Sequence, residues 1–137
     1  MQRTLALIKP DAVKAGHVGA ILGAIEKNEF RIVAMKLVHL TKKQAEGFYA
    51  VHRGKNFFTP LTDFMSAGPI VAMVLEREEA ILKWREVMGA TDPAKAAEGS
   101  LRRTFGTSIQ YNATHGSDAP ETAAFETRYF FDELEIC

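Results

Sequence analysis

The run Ile70-Val-Ala-Met-Val-Leu75, apolar without a break between Gly68-Pro69 and Glu76, limits what this chain can fold into more than any other segment. It is too short for a typical helix, so it reads as a central strand buried on both faces. Thr4-Leu-Ala-Leu-Ile8 reads the same way, ended by Lys9-Pro10 because proline brings no N–H to a ladder. Ile32 to Leu40 reads as another strand, and Ser108 to Tyr111 as a short one leading to His115.

Between these runs the apolar period becomes helical. Val18, Ile21, Leu22 and Ile25 form one stripe, and Ile81, Trp84, Val87 and Met88 another. Thr41-Lys-Lys-Gln44 matches a capping box and opens a helix carrying Ala45, Phe48 and Tyr49. Thr59-Pro60 reads as a cap followed by proline at the first helical position, with Leu61, Phe64 and Met65 behind it. Pro120 to Phe131 predicts a last helix. Gly89 to Gly99 has no clear period, although Ala94 to Glu98 can turn helically. This order predicts an α+β fold with helices on a small sheet. It does not give the strand order.

At 137 residues the chain is expected to form one domain, 1–137, with a core that needs no disulfide or metal staple. Lys+Arg and Asp+Glu balance at 17 each, so no global field favours nucleic acid or an anionic membrane. Any phosphate must be held by a local cluster of cations. The single cysteine, Cys137, excludes an intrachain disulfide, fits a reducing compartment and is expected to be exposed. Pro10-Asp11 interrupts the first apolar run too early for a signal sequence, and no segment approaches the roughly 20 apolar residues of a membrane helix. A cytoplasmic protein is expected. His17, His39, His52 and His115 lack zinc spacing. Gly16-His-Val-Gly19 and Gly19-Ala-Ile-Leu-Gly23 lack the lysine and spacing of a phosphate-binding loop, and read as turn and close-packing positions.

The segment Asn112-Ala-Thr-His-Gly-Ser-Asp118 sets an imidazole beside a glycine, between a predicted strand end and a predicted helix start. Such a histidine can present a neutral nucleophilic nitrogen to a ligand. A surface histidine before a capped helix fits these seven residues equally well.

Other motifs separate the two readings. Lys9-Pro10-Asp11 after a strand, Phe57-Phe58 after His52, and Gly89-Ala-Thr-Asp-Pro93 before Arg102 accompany the His115 segment. In order and spacing, from Arg3 to Ile136, this resembles nucleoside diphosphate kinase. The resemblance implies a ferredoxin-like βαββαβ sandwich with a four-stranded antiparallel sheet. It implies ping-pong transfer of the γ-phosphate of an NTP to an NDP through a phosphohistidine on His115. By the same resemblance Glu126 orients the ring and Ser117 supports Glu126. Arg85, Thr91 and Arg102 contact phosphate, and Lys9 reaches the ribose hydroxyls and the transferring phosphate. Asn112 binds the ribose 3′-hydroxyl, while Tyr49 and His52 complete the polar wall. Phe57 is the base platform and Leu61 lines the same slot. Taken alone, Glu126 reads as a solvated helix residue, the cations as surface charges like Arg103 and Arg128, and Phe57 and Phe58 as core.

Mg2+ is expected to arrive on the nucleotide, with no protein-only metal site. The partners implied are nucleoside di- and triphosphates and further copies of the chain, a tetramer before a hexamer, with no membrane and no obligatory nucleic acid. A catalytically silent binder of nucleotides or single strands is the alternative, which the neutral net charge disfavours. Two segments depart from the family's pattern. Lys55-Asn56 precedes Phe57-Phe58 where Arg-Pro is common, which should loosen that turn. Thr104 stands where an acidic residue is common, so any ion pair made there is absent.

Overall fold

The computed structural model describes residues 1–137. β1 (Gln2–Ile8) leads through α1 (Pro10–Lys14) and α2 (Val18–Lys27) to β2 (Arg31–Val38). α3 (Lys42–Phe48) and α4 (Phe58–Met65) then precede β3 (Ile70–Arg77) and α5 (Ala80–Met88). α6 (Leu101–Phe105), β4 (Thr114–Gly116) and α7 (Pro120–Phe130) complete the order. The four strands form one sheet in the order β2-β3-β1-β4, antiparallel at every pairing. This is the βαββαβ ferredoxin-like α+β fold, with α3 and α4 between its second and third strands.

The apolar runs fill both faces of the sheet. Leu5 and Leu7 of β1 join one cluster with Phe48, Met65, Val74 and Phe130. Ala6 and Ile8, pointing the other way, join Ile21, Ile25, Met73, Trp84 and Met88. A strand alternates its side chains, so the runs Leu5–Ile8 and Ile70–Leu75 can be continuously apolar only because helices cover both sides. Each fully buried Leu or Ile contributes about 1.5–3 kcal/mol.

The Thr41 capping box forms with both reciprocal hydrogen bonds, and Cys137 is exposed. Other expectations fail. Ser108 to Tyr111 is not a strand but an exposed turn, closed by Thr107 N–H donating to the Tyr111 carbonyl at 2.8 Å. The fourth strand is the His115 segment itself. Thr59 is not the cap of α4; the helix begins at Phe58, and Pro60 sits inside its first turn. β2 ends at Val38, two residues before Leu40. Pro10 both ends β1 and opens α1. Within Gly89–Gly99 the turn covers Pro93–Lys95, capped by Asp92, rather than Ala94 to Glu98. Gly16 is a turn glycine at φ 80°. Gly19 and Gly23 are not close-packed, because a Cβ on either would meet nothing within 4 Å.

Candidate active site

β4 is short because the residue before it cannot stay in a ladder. Ala113 sits at φ 73°, the left-handed region that a side chain disfavours. Its carbonyl accepts from Lys9 N–H at 2.8 Å, and its own N–H donates to Asp11 Oδ2 at 3.1 Å. Burial pushes the Asp11 carboxyl up from its ordinary value. This clamp turns the chain so that His115 pairs with Leu7 and shares its face of the sheet. There the imidazole lies edge-on to Phe48 and Tyr49, with centroids 5.4 and 6.3 Å away.

α7 supplies the orienting carboxylate. Nε2 of His115 is 3.0 Å from Glu126 Oε1, and the same oxygen accepts from Ser117 Oγ at 2.8 Å. Ser117 is buried, and its Oγ also accepts from Leu5 N–H at 3.1 Å. A carboxylate accepts, so Nε2 carries the proton and Nδ1 keeps its lone pair.

Three cations converge on this end of the sheet. Lys9, at the end of β1, is 8 % exposed; burial, and then the charge of Arg102, bring its ammonium down to about 8. Its Nζ donates to Asn112 Oδ1 at 2.7 Å, and Asn112 Nδ2 donates to the Thr91 carbonyl at 3.0 Å. Asn112 thus joins Lys9 to the segment that carries Thr91. Arg102 is buried on α6 and donates to the carbonyls of Gly89 and Thr114, at 3.1 and 3.0 Å. Its Nε has no partner, and burial, and then Arg85, lower its guanidinium to about 10. Arg85 on α5 is half-exposed and donates to Asp118 Oδ1 at 2.6 Å. Charges that disfavour one another in this way are what an anionic ligand neutralises.

The other candidates surround the cations. The Tyr49 hydroxyl is buried without a partner; burial, and then the charge of Glu126, raise its pKa, so it stays a donor. His52 stacks near Tyr49, and burial, and then Lys55, lower its pKa. Phe57 is not core: its ring is 47 % exposed, 5.1 Å from the ring of His52, with Lys55 Nζ over one face. Phe58 packs beside the Phe48 cluster, and so does Leu61, half-buried on α4. Thr91 is exposed. Backbone bonds from His52, Lys55 and Phe58 close the turn between Tyr49 and Phe57. Thr104 donates to the Ser100 carbonyl at 2.8 Å and makes no ion pair. Sequence reasoning missed Asp11, Asp118 and Phe48 as parts of the site. Asp11 stood in a quoted motif, but its clamp on Ala113 spans most of the chain. No group of three or more His, Cys, Asp or Glu side chains is placed to hold a metal ion, and no helix is long and apolar enough to cross a membrane.

An imidazole oriented by a carboxylate on a four-stranded antiparallel sheet, with Lys9 and Arg102 bonded to the main chain just before it, fits a phosphotransferase of the ferredoxin-like α+β class. Residues 2–136 match the family model described as nucleoside diphosphate kinase. The nucleoside diphosphate kinase of Syntrophotalea carbinolica is 61 % identical over 136 residues, which are 99 % of each chain. That of Desulfosudis oleivorans is 57 % identical over 99 % of this chain and 98 % of its own. The Aquifex aeolicus nucleoside diphosphate kinase structure superposes with a TM-score of 0.97 at 45 % identity, covering 99 % of both chains. A Halobacterium salinarum nucleoside diphosphate kinase in complex with CDP superposes with a TM-score of 0.95 at 36 % identity, covering 99 % of this chain and 91 % of that one. The chain belongs to the nucleoside diphosphate kinase family. Its activity is transfer of the γ-phosphate of an NTP to an NDP.

Proposed function

We propose that His115 carries the phosphoryl group between the two nucleotides, accepting it on Nδ1. The observation that supports this is the 3.0 Å contact between His115 Nε2 and Glu126, which leaves Nδ1 as the free nitrogen. Nδ1 attacks the γ-phosphorus, the bond to the bridging oxygen breaks, and NDP leaves. A second NDP then attacks the phosphohistidine through its terminal phosphate oxygen and regenerates the imidazole. One site serves both half-reactions, hence a ping-pong order. Glu126 stabilises the charge that grows on the imidazole, and Ser117 holds Glu126 in place.

Lys9, Arg85 and Arg102 neutralise the phosphate oxygens, Arg102 through its unpartnered Nε, and the Tyr49 hydroxyl donates to the transferring group. Thr91 and His52 line the phosphate path, Asn112 and Lys9 take the ribose, and Phe57 with Leu61 holds the base. The donor set, rich in cations and without a carboxylate cluster, fits a metal carried by the nucleotide itself. Mg2+ arriving with the nucleotide would supply further charge neutralisation at the phosphates.

The chain works as one domain, 1–137, in the cytoplasm, as a homo-oligomer for which a tetramer is proposed, and with no obligatory nucleic acid. The edge strand β2, with Met35 and Leu37 exposed, supports self-association; light scattering of the purified protein tests it. Turnover of Mg·ATP with CDP, GDP or UDP tests the catalytic assignment. His115→Ala should lose turnover and keep ADP affinity. Loss of both together, or retained turnover, contradicts it.

A further inference from the structure

β4 is held from both sides of the sheet, and the contact that Trp84 makes from the far side lies outside the machinery above. His115 points into the face of the sheet that holds Phe48 and Phe130, whereas Gly116 pairs with Ala6 and faces the cluster of the opposite side. In the space a side chain at Gly116 would fill lies the indole of Trp84. A Cβ there would collide with Trp84 Cδ1 and would meet Trp84 Nε1 and Met88 Cε at 2.8 Å each. Trp84 is fully buried on α5, and its Nε1–H donates to the carbonyl of His115 at 3.0 Å. Phe30 meets the indole edge-on at a centroid distance of 5.9 Å, which fixes the ring from beyond. The next residue on the same helix, Arg85, donates to Asp118 at 2.6 Å. Consecutive residues of α5 therefore grip the chain on either side of Gly116-Ser117.

We propose that Trp84 is a positioning residue for phosphoryl transfer, its indole N–H and ring bracing the His115 backbone from behind. This rests on His115 being the phosphoryl carrier. The in-line approach of the γ-phosphorus to Nδ1 pushes on a residue in a strand of three residues whose own ladder is minimal. Glu126 fixes the ring at Nε2 but does not hold the main chain. Trp84 does, from a rigid helix on the far side of the sheet. A misplacement of the order of 1 Å at a reacting atom can cost about a hundredfold in rate.

The test compares wild type, Trp84→Phe and Met88→Leu in single-turnover phosphorylation by Mg·ATP, with ADP affinity and melting temperature measured alongside. Trp84→Phe keeps an aromatic ring and removes the donor. Met88→Leu disturbs the packing beneath Gly116 and leaves the donor. Loss of one such hydrogen bond predicts a rate about fivefold to tenfold lower in Trp84→Phe, with ADP affinity unchanged. Met88→Leu should melt lower at the wild-type rate. Trp84 is the only tryptophan in the chain, so a ¹⁵N-labelled sample gives one indole N–H signal. That signal should move when ATP phosphorylates the enzyme and return when GDP is added. A full rate in Trp84→Phe, or a loss of rate matched by loss of ADP affinity, overturns the assignment. If Trp84→Phe does not fold, the wild-type indole signal decides, and a signal unmoved by phosphorylation overturns it. Wild type that never labels refutes the phosphohistidine first and this role with it.

Discussion

Glu126 Oε1 lies 3.0 Å from His115 Nε2 and 2.8 Å from Ser117 Oγ, so one carboxylate oxygen ties the imidazole to a buried serine. Ser117 in turn accepts from Leu5 N–H in the middle of β1. The orientation of the ring is thereby referred to a buried central strand of the sheet. Nε2 is taken up by this contact, and Nδ1 is left without a side-chain partner.

Glu126→Gln keeps a hydrogen-bonding group and removes the charge that balances imidazolium. Turnover should fall by about tenfold to a hundredfold, with ADP affinity within about twofold of wild type. Steady-state kinetics with equilibrium ADP binding checks it. An equal change in both quantities would assign Glu126 to binding instead.

Ser117→Ala leaves the buried Leu5 N–H without its side-chain acceptor. The expected loss of stability is about 1–3 kcal/mol, read by urea denaturation. A variant as stable as wild type would show that Ser117 is not holding β1 and Glu126 together.

Lys9 links the site to pH. Its folded pKa, about 8, lies below the ordinary 10.5, so the folded state holds fewer protons than the unfolded state between those values. The stability cost of burying the charge is full below pH 8 and is relieved as pH rises from about 8 towards 10.5. A bound phosphate reverses the preference and raises the Lys9 pKa. ADP binding at pH 8 should therefore take up about half a proton, seen as a buffer-dependent binding enthalpy in titration calorimetry. Lys9→Met should abolish the uptake, and uptake of the same size in that variant would exclude Lys9 as its source.

Phe57 is half-exposed at the mouth of the site and contributes little to the core. Phe57→Ala should weaken ADP, GDP and CDP by a similar factor, about 1–3 kcal/mol each, while stability changes by less than about 0.5 kcal/mol. Loss of affinity for one base alone would mean that an edge of that base is read, not its face.

The fold was legible where sequence pattern and burial coincide. The runs Leu5–Ile8 of β1 and Ile70–Leu75 of β3 are apolar without a break because both faces of the sheet are covered there, and the Thr41–Gln44 box is a local hydrogen-bond device that needs no tertiary support. β4 was not legible. Ile109 and Tyr111 have strand-like side chains but lie exposed in a turn, while the strand falls on Thr114-His-Gly116, where β1 supplies the register. α1 and α6 have five residues each, too few to show a period. The same limit applies to the site. Arg102 is buried and Arg103 exposed, one residue apart on α6; only the resemblance to a known family distinguishes them in the sequence. Trp84 read as one more apolar residue of a helical stripe, and its contact with His115 spans thirty-one positions.

The phosphohistidine is tested by labelling with Mg·ATP carrying a tagged γ-phosphate, followed by a chase with GDP. Wild type should carry an acid-labile, base-stable label that is absent from His115→Ala and is transferred to GDP within the dead time of manual mixing. A label that stays on the protein through the chase, or that forms equally on His115→Ala, would contradict it.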